Sequence, residues 1–139
     1  LVDEDTRSFN NVMAAMRLPK KSSEQQAARL QALQEATIYS AEVPLQVMRH
    51  SMEIMKLAGR MAEIGNQNSL SDAGVAVLQA RAGLEGAALN VLINIPGIDD
   101  KKIVATFEKE VDQLQADSSI LAEKILSAMT SKLKSDSKS

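Results

Sequence analysis

The sequence predicts an all-α protein, a helical bundle of about five helices. Three observations carry that expectation. Aliphatic residues and alanine make up almost all of the 45% hydrophobic content, with aromatics at only 2%, which is the composition of helices packed through small and branched side chains. Only three prolines interrupt 139 residues. Apolar residues also recur at three- and four-residue intervals along most of the chain.

Each element follows from a local signal. Leu1, Val2, Phe9, Val12, Met13 and Met16 keep helical spacing until Pro19 closes a first helix. Ser22 and Ser23 each precede a glutamine by three residues, Gln25 and Gln26, which is the pattern of a capping box. The helix it starts runs through Leu30, Leu33, Ile38 and Tyr39 to Val43, where Pro44 is expected to kink it or to begin a new one. Leu45, Met48, Met52, Met55 and Met61, with Ile54 and Leu57 beside them, then lead to Gly65, an expected helix end. The methionines at this spacing read as core and not as a metal box. A further helix reaches Asn94, since Pro96-Gly97 cannot continue it. Asp99 and Asp100 supply the cap and first-turn acid of the last helix, whose stripe is Ile103, Phe107, Val111, Leu114, Leu121, Ile125 and Leu126. The domain is expected over residues 1–130. The tail, 131–139, has no apolar period and is expected to be disordered.

Composition also limits function. A net charge of −2, without a basic run interleaved with aromatics, argues against a nucleic-acid partner. The chain has no cysteine and one histidine, His50, so neither a thiolate nucleophile nor a multi-histidine metal site can be assembled, and no metal is expected. The absence of cysteine fits a reducing compartment, hence a cytoplasmic location. The apolar run from 73 to 95 approaches membrane-spanning length, but Gln79, Arg81, Glu85, Asn90 and Asn94 interrupt it, so no membrane association is expected.

That run poses the main question. At about 100° per residue, Asp72, Ala76, Gln79, Gly83, Gly86, Asn90 and Asn94 fall within roughly 40° of one line along a helix, while Arg81 and Glu85 form an expected ion pair on the opposite side. A mid-helix glycine costs about 1 kcal/mol against alanine, so two on one line imply close approach by another helix or by a ligand. Both readings stand at this stage. Asp72 is either a helix-start acid or cap, or a carboxylate able to move a proton among the amides and hydroxyls of GNQNS, with Ser71 beside it. Asp5 reads as a first-turn acid, and His50 as a partly buried or surface residue. Arg17, Lys20 and Lys21 surround Pro19 at a helix end, where basic residues are favourable in any case and where they are also able to bind an anion.

Four strings, in order, resemble the cyclodeaminase/cyclohydrolase family: LVDEDTRSFNNVMAAMRLPK at 1–20, VPL at 43–45, GNQNSLSDAGVA at 65–76 and GAALNVLIN at 86–94. The family comprises the C-terminal domain of formiminotransferase-cyclodeaminase and small bacterial methenyltetrahydrofolate cyclohydrolases. The resemblance implies an all-helical fold with a central helix surrounded by others, assembled as a homodimer or a larger oligomer. It also implies a tetrahydrofolate derivative as substrate, either 5-formiminotetrahydrofolate closing to the 5,10-methenyl form with loss of ammonia, or the methenyl and 10-formyl forms interconverting with water. Both reactions pass through a tetrahedral carbon and need proton transfer, with no cofactor. Within the matched strings, Asp72 is expected to be the catalytic acid and base. Asn66, Asn68, Ser71, Asn90 and Asn94 are expected to contact substrate, and Arg17 and Lys20 its glutamate tail. Members of the family begin with a Pro-Gly-Gly-Gly-Ser-like turn and a small-residue apolar helix. Neither is in this chain, so the domain is expected to be incomplete at its N-terminus and to lack the central helix. A non-catalytic helical module that binds folate or another protein is the alternative expectation.

Overall fold

A computed structural model describes residues 1–65 and 67–136, without the side chains at 67, 68 and 136. Among them there are four α-helices and no strand: α1 (Val2–Met16), α2 (Ser23–Ile64), α3 (Gln67–Asn94) and α4 (Lys101–Asp136), with one 3-10 turn at Ile95–Gly97. The all-α expectation holds. The count of four is close to the expected number of about five, with α2 continuing through Pro44 as one helix of 42 residues. Helix α4 likewise continues to Asp136, so residues 131–136, expected in a disordered tail, are helical.

The predicted helix starts are built as the sequence indicates. Ser22 Oγ accepts from the Gln25 N–H at 3.2 Å, and Gln25 Oε1 accepts in return from the backbone of Ser22 and Lys21, which satisfies donors that the first turn of α2 cannot. Asp100 Oδ1 accepts from the Lys102 N–H at 2.8 Å and caps α4. At the other end of α1, Arg29 on α2 donates from Nε to the Met16 carbonyl at 3.3 Å, placing a cation where the helix exposes acceptors.

The residues pack as two compact units, Leu1–Val47 with Ala87–Val111, and Met48–Gly86 with the chain from Asp112 onward. In the first, Ala36, Ala41, Val43 and Leu45 of α2 are buried, as are Ala88 and Val91 of α3, and Phe107 and Val111 of α4. Gln34 ties down the connection that follows α3: its amide donates to the Gly97 carbonyl at 3.1 Å, and its oxygen accepts from the Asp99 N–H at 2.9 Å. Helix α1 departs from the predicted stripe. It buries Ser8 and Ala15, while Phe9 and Met16 are exposed, because it approaches through its small residues and turns the larger ones outward.

The second unit has a continuous core of Met55, Ala58 and Ala62 from α2, Leu70, Ala73, Val77 and Ala80 from α3, and Ala122, Ile125 and Met129 from α4. Met48, Met52 and Met55 are buried as expected, but Met61 is exposed with Ile54 and Leu57. Met61 lies about 120° round the helix from Met55, so it belongs to a different face. Arg81 and Glu85 do not pair with each other. Arg81 donates to Ser119 Oγ at 3.2 Å and Glu85 accepts from Gln115 Nε2 at 2.6 Å, both on α4, because a partner across a helix interface is less solvated than one along a helix.

Candidate functional site

The candidate residues are carried mainly by α3. Its buried line is Leu70, Ala73, Val77, Ala80, Leu84, Ala88 and Val91. The polar line lies about 110° round the helix from it at 100° per residue, and its edge adjoins the buried line. Asp72, Gln79, Gly83, Gly86 and Asn90 are accordingly exposed, and Ala76 and Asn94 half-buried. A Cβ added at Gly86 would meet nothing within 4 Å, and one at Gly83 would meet only Ser51 Oγ at 3.5 Å. No described part of this chain therefore uses the close approach that these two glycines permit. Of the two readings, a crossing helix and a ligand, the first is not realised at Gly83 and Gly86 among the described residues, and the line is open there.

Asp72 can be separated from one of its two readings. Helix α3 begins at Gln67, five residues earlier, and has no acidic residue in its first turn. A capping carboxylate reaches only the second or third N–H of its helix, so Asp72 is not a cap. Its side chain is exposed on the second turn beside exposed Ser71, and it has no hydrogen-bond partner among the described residues. Asn66 lies outside the described residues, as does the side chain of Asn68.

At the other end of α3 the asparagines differ from each other. Asn90 is exposed. Asn94 is half-buried and donates from Nδ2 to two carbonyls, Asn90 O at 2.8 Å and Ser40 O on α2 at 3.3 Å. Asp72 belongs to the second unit and Asn90 and Asn94 to the first, so the polar line comprises two groups of residues, one in each unit.

The basic residues lie where the sequence puts them. Arg17 is the C-terminal residue that follows α1, its N–H bonded to the Ala14 carbonyl at 3.1 Å, and Lys20 follows in the exposed connection, its carbonyl accepting from Gln26 Nε2 at 3.1 Å. The backbone there is fixed and both cationic side chains are exposed. Asp5 and His50 are also exposed.

The structure adds a groove that the sequence did not single out. In the second unit, Lys56 and Arg60 of α2 and Lys124 of α4 border a groove of about 390 Å³ floored by Gly59, Leu121 and Ile125, with Glu53 and Glu63 on its rim. Lys56 lies 2.7 Å from Glu53, and by hydrogen bonding first and charge second it holds that carboxyl below its ordinary range. The i, i+4 spacing of Lys56 and Arg60 was legible; their meeting with Lys124, more than sixty positions later, depends on the packing of α4. In the first unit, α1 and α2 border a groove of about 360 Å³ lined by alanines, Asn11, Leu18, Glu35 and Tyr39.

These features define a class of protein: long helices packed through alanine and methionine, with carboxylate and amide side chains presented on the open face of one of them. Comparison with known proteins narrows that class to one family. The chain belongs to the formiminotransferase-cyclodeaminase family, whose family model matches residues 1–113. It is 43% identical over 133 residues to a methenyltetrahydrofolate cyclohydrolase of Methylorubrum extorquens, an alignment that takes in 96% of this chain and 64% of that protein. It is 36% identical over 100 residues to the formimidoyltransferase-cyclodeaminase of Rattus norvegicus, covering 72% of this chain and 18% of that one. Its fold matches the crystal structure of a formiminotetrahydrofolate cyclodeaminase from Thermotoga maritima with a TM-score of 0.77 at 25% identity, over 94% of this chain and 61% of that one. The chain therefore spans less than two-thirds of the length of each of these relatives.

Proposed function

We propose that the protein is a folate one-carbon enzyme of the methenyltetrahydrofolate cyclohydrolase type, acting in the cytoplasm as a homodimer or larger oligomer. The observation that supports this most is the 43% identity to a cyclohydrolase along 96% of the chain. Identity to the cyclodeaminases is lower and extends over less of the sequence. Cyclodeamination is the second reading, favoured by the likeness in fold to the Thermotoga maritima cyclodeaminase.

Under the first reading, water adds to the carbon between N5 and N10 of the methenyl substrate. Asp72 accepts one proton of that water, then returns it to N5 as the C–N5 bond breaks; the remaining hydroxyl proton leaves to solvent, giving the 10-formyl product. Under the second, N10 attacks the protonated amidine carbon, and Asp72 carries the N10 proton to the departing ammonia. One carboxylate serves either sequence, because in each it takes a proton as a bond forms and delivers it as another breaks. No cofactor is required by either balance. Ser71, with Asn66 and Asn68, is assigned to orienting the substrate at this end of α3, and Asn90 to a contact at the other end. Arg17 and Lys20 are assigned to the carboxylates of the glutamate tail.

A single assay separates the readings, since the methenyl form absorbs where the others do not. Given methenyltetrahydrofolate, the full-length protein is expected to consume that absorbance. Given 5-formiminotetrahydrofolate, a cyclodeaminase would instead generate it. Absence of both changes, with helical content intact by circular dichroism, would leave a non-catalytic folate-binding or protein-interaction module in place of the enzyme.

A further inference from the structure

Pro44 is the proline that α2 carries within its length. Its nitrogen bears no hydrogen, so the Ser40 carbonyl four residues earlier loses its helical donor, and the pyrrolidine ring crowds that same carbonyl. Ser40 is half-buried. A carbonyl in that position needs a partner, and the nearby hydroxyls are committed elsewhere: Thr37 Oγ1 donates to Leu33 O at 2.8 Å and Ser40 Oγ to Ala36 O at 3.0 Å. The donor that does reach Ser40 O comes from α3. Asn94 Nδ2 lies 3.3 Å from it, and the second hydrogen of the same amide serves Asn90 O at 2.8 Å, one turn back on its own helix.

We infer that the Asn94 amide replaces the hydrogen bond that Pro44 removes, and that the two residues form one coupled device fastening the last turn of α3 to α2. The inference goes beyond the folate reading and does not rest on it. Asn94 belongs to the string GAALNVLIN at 86–94, and the carbonyl it reaches, Ser40 O, is the one that Pro44 of the string VPL at 43–45 leaves without a helical donor. It also divides the asparagines by role. Both N–H groups of Asn94 are spent on backbone carbonyls, so Asn94 serves the packing of α3 on α2, while the amide of exposed Asn90 has no partner among the described residues.

Coupling between the two residues is the property to measure, by thermal melts of the full chain carrying Asn94→Ala, Pro44→Ala and both. With Pro44 present, Asn94→Ala is expected to lower Tm by about 3–5 °C. With alanine at 44 the helical N–H returns to Ser40 O, and the same change is expected to lower Tm by less than a third of that amount. Equal losses in the two backgrounds, or no loss in either, would overturn the inference. Should Asn94→Ala not fold, wild-type hydrogen exchange decides. The side-chain amide protons of Asn94 are expected to exchange more slowly than those of exposed Asn90, and equal rates would overturn it.

Discussion

Asp72 shows how much a single residue can gain from the position of a helix start. From sequence, a carboxylate after GNQNS and before an apolar run has two readings, cap or acid-base group. Where α3 begins decides between them, and a boundary is what a periodic pattern locates least well. With the first turn starting at Gln67, Asp72 has no backbone donor to cap, and its carboxylate is exposed without a partner among the described residues. Replacing it with asparagine keeps the shape and removes the base. Under the proposed proton transfer, Asp72→Asn is expected to lower kcat for the methenyl reaction by about 10²–10⁴-fold, the usual worth of general acid-base catalysis, with KM little changed. Stability should be unaffected, since the side chain is exposed and makes no contact that stability depends on. An unchanged kcat in the active full-length protein would transfer the role to another group.

Among the helices, starts were more legible than faces. The Ser22–Gln25 box and the Asp100 cap are built as written, because capping is local chemistry that needs only neighbouring residues. Pro44 was legible as a disturbance, but its outcome was not. Whether a helix breaks at proline or continues depends on whether the freed carbonyl finds another donor, and Asn94 is fifty positions away. The polar line on α3 was found correctly as a line. Which side of the helix it lay on was hidden, because both sides carry aliphatic residues: Leu70, Val77, Leu84 and Val91 inside, Val75, Leu78, Leu89 and Ile93 outside. Its exposure leads to an expectation for the element. Gly86 has open space at its Cβ position, so Gly86→Ala should stabilise α3 by about 0.5–1 kcal/mol through reduced backbone freedom in the unfolded chain. A lower Tm would instead mean that in the assembled protein something sits against this glycine at backbone distance.

For the molecule as a whole, the exposed apolar residues bear on assembly. Ile54, Leu57, Met61 and Ile64 recur on α2 at helical spacing, and they range from 49% to 87% exposed. On α3, Leu89 and Ile93 are 68% and 78% exposed. Single exposed apolar side chains are ordinary, but residues repeating along one side of a helix create a continuous patch, and monomeric proteins seldom keep such a patch in water. The chain has few charges on these lines to oppose association, since Lys56, Arg60 and Glu63 lie around the α2 groove shared with α4. A second copy of the protein is the partner proposed for the exposed lines, as a homodimer reuses one patch twice. Sedimentation velocity at micromolar concentration is expected to give a dimer or larger species. Introducing lysine at both Leu57 and Met61 is expected to move the distribution towards monomer while helical content by circular dichroism is retained, since neither residue belongs to the buried core of its unit. A wild-type monomer across that concentration range would end the proposal, and an unchanged dimer in the double variant would place the interface on another face, with the exposed line of α3 the next to be tested by the same substitution at Leu89 and Ile93.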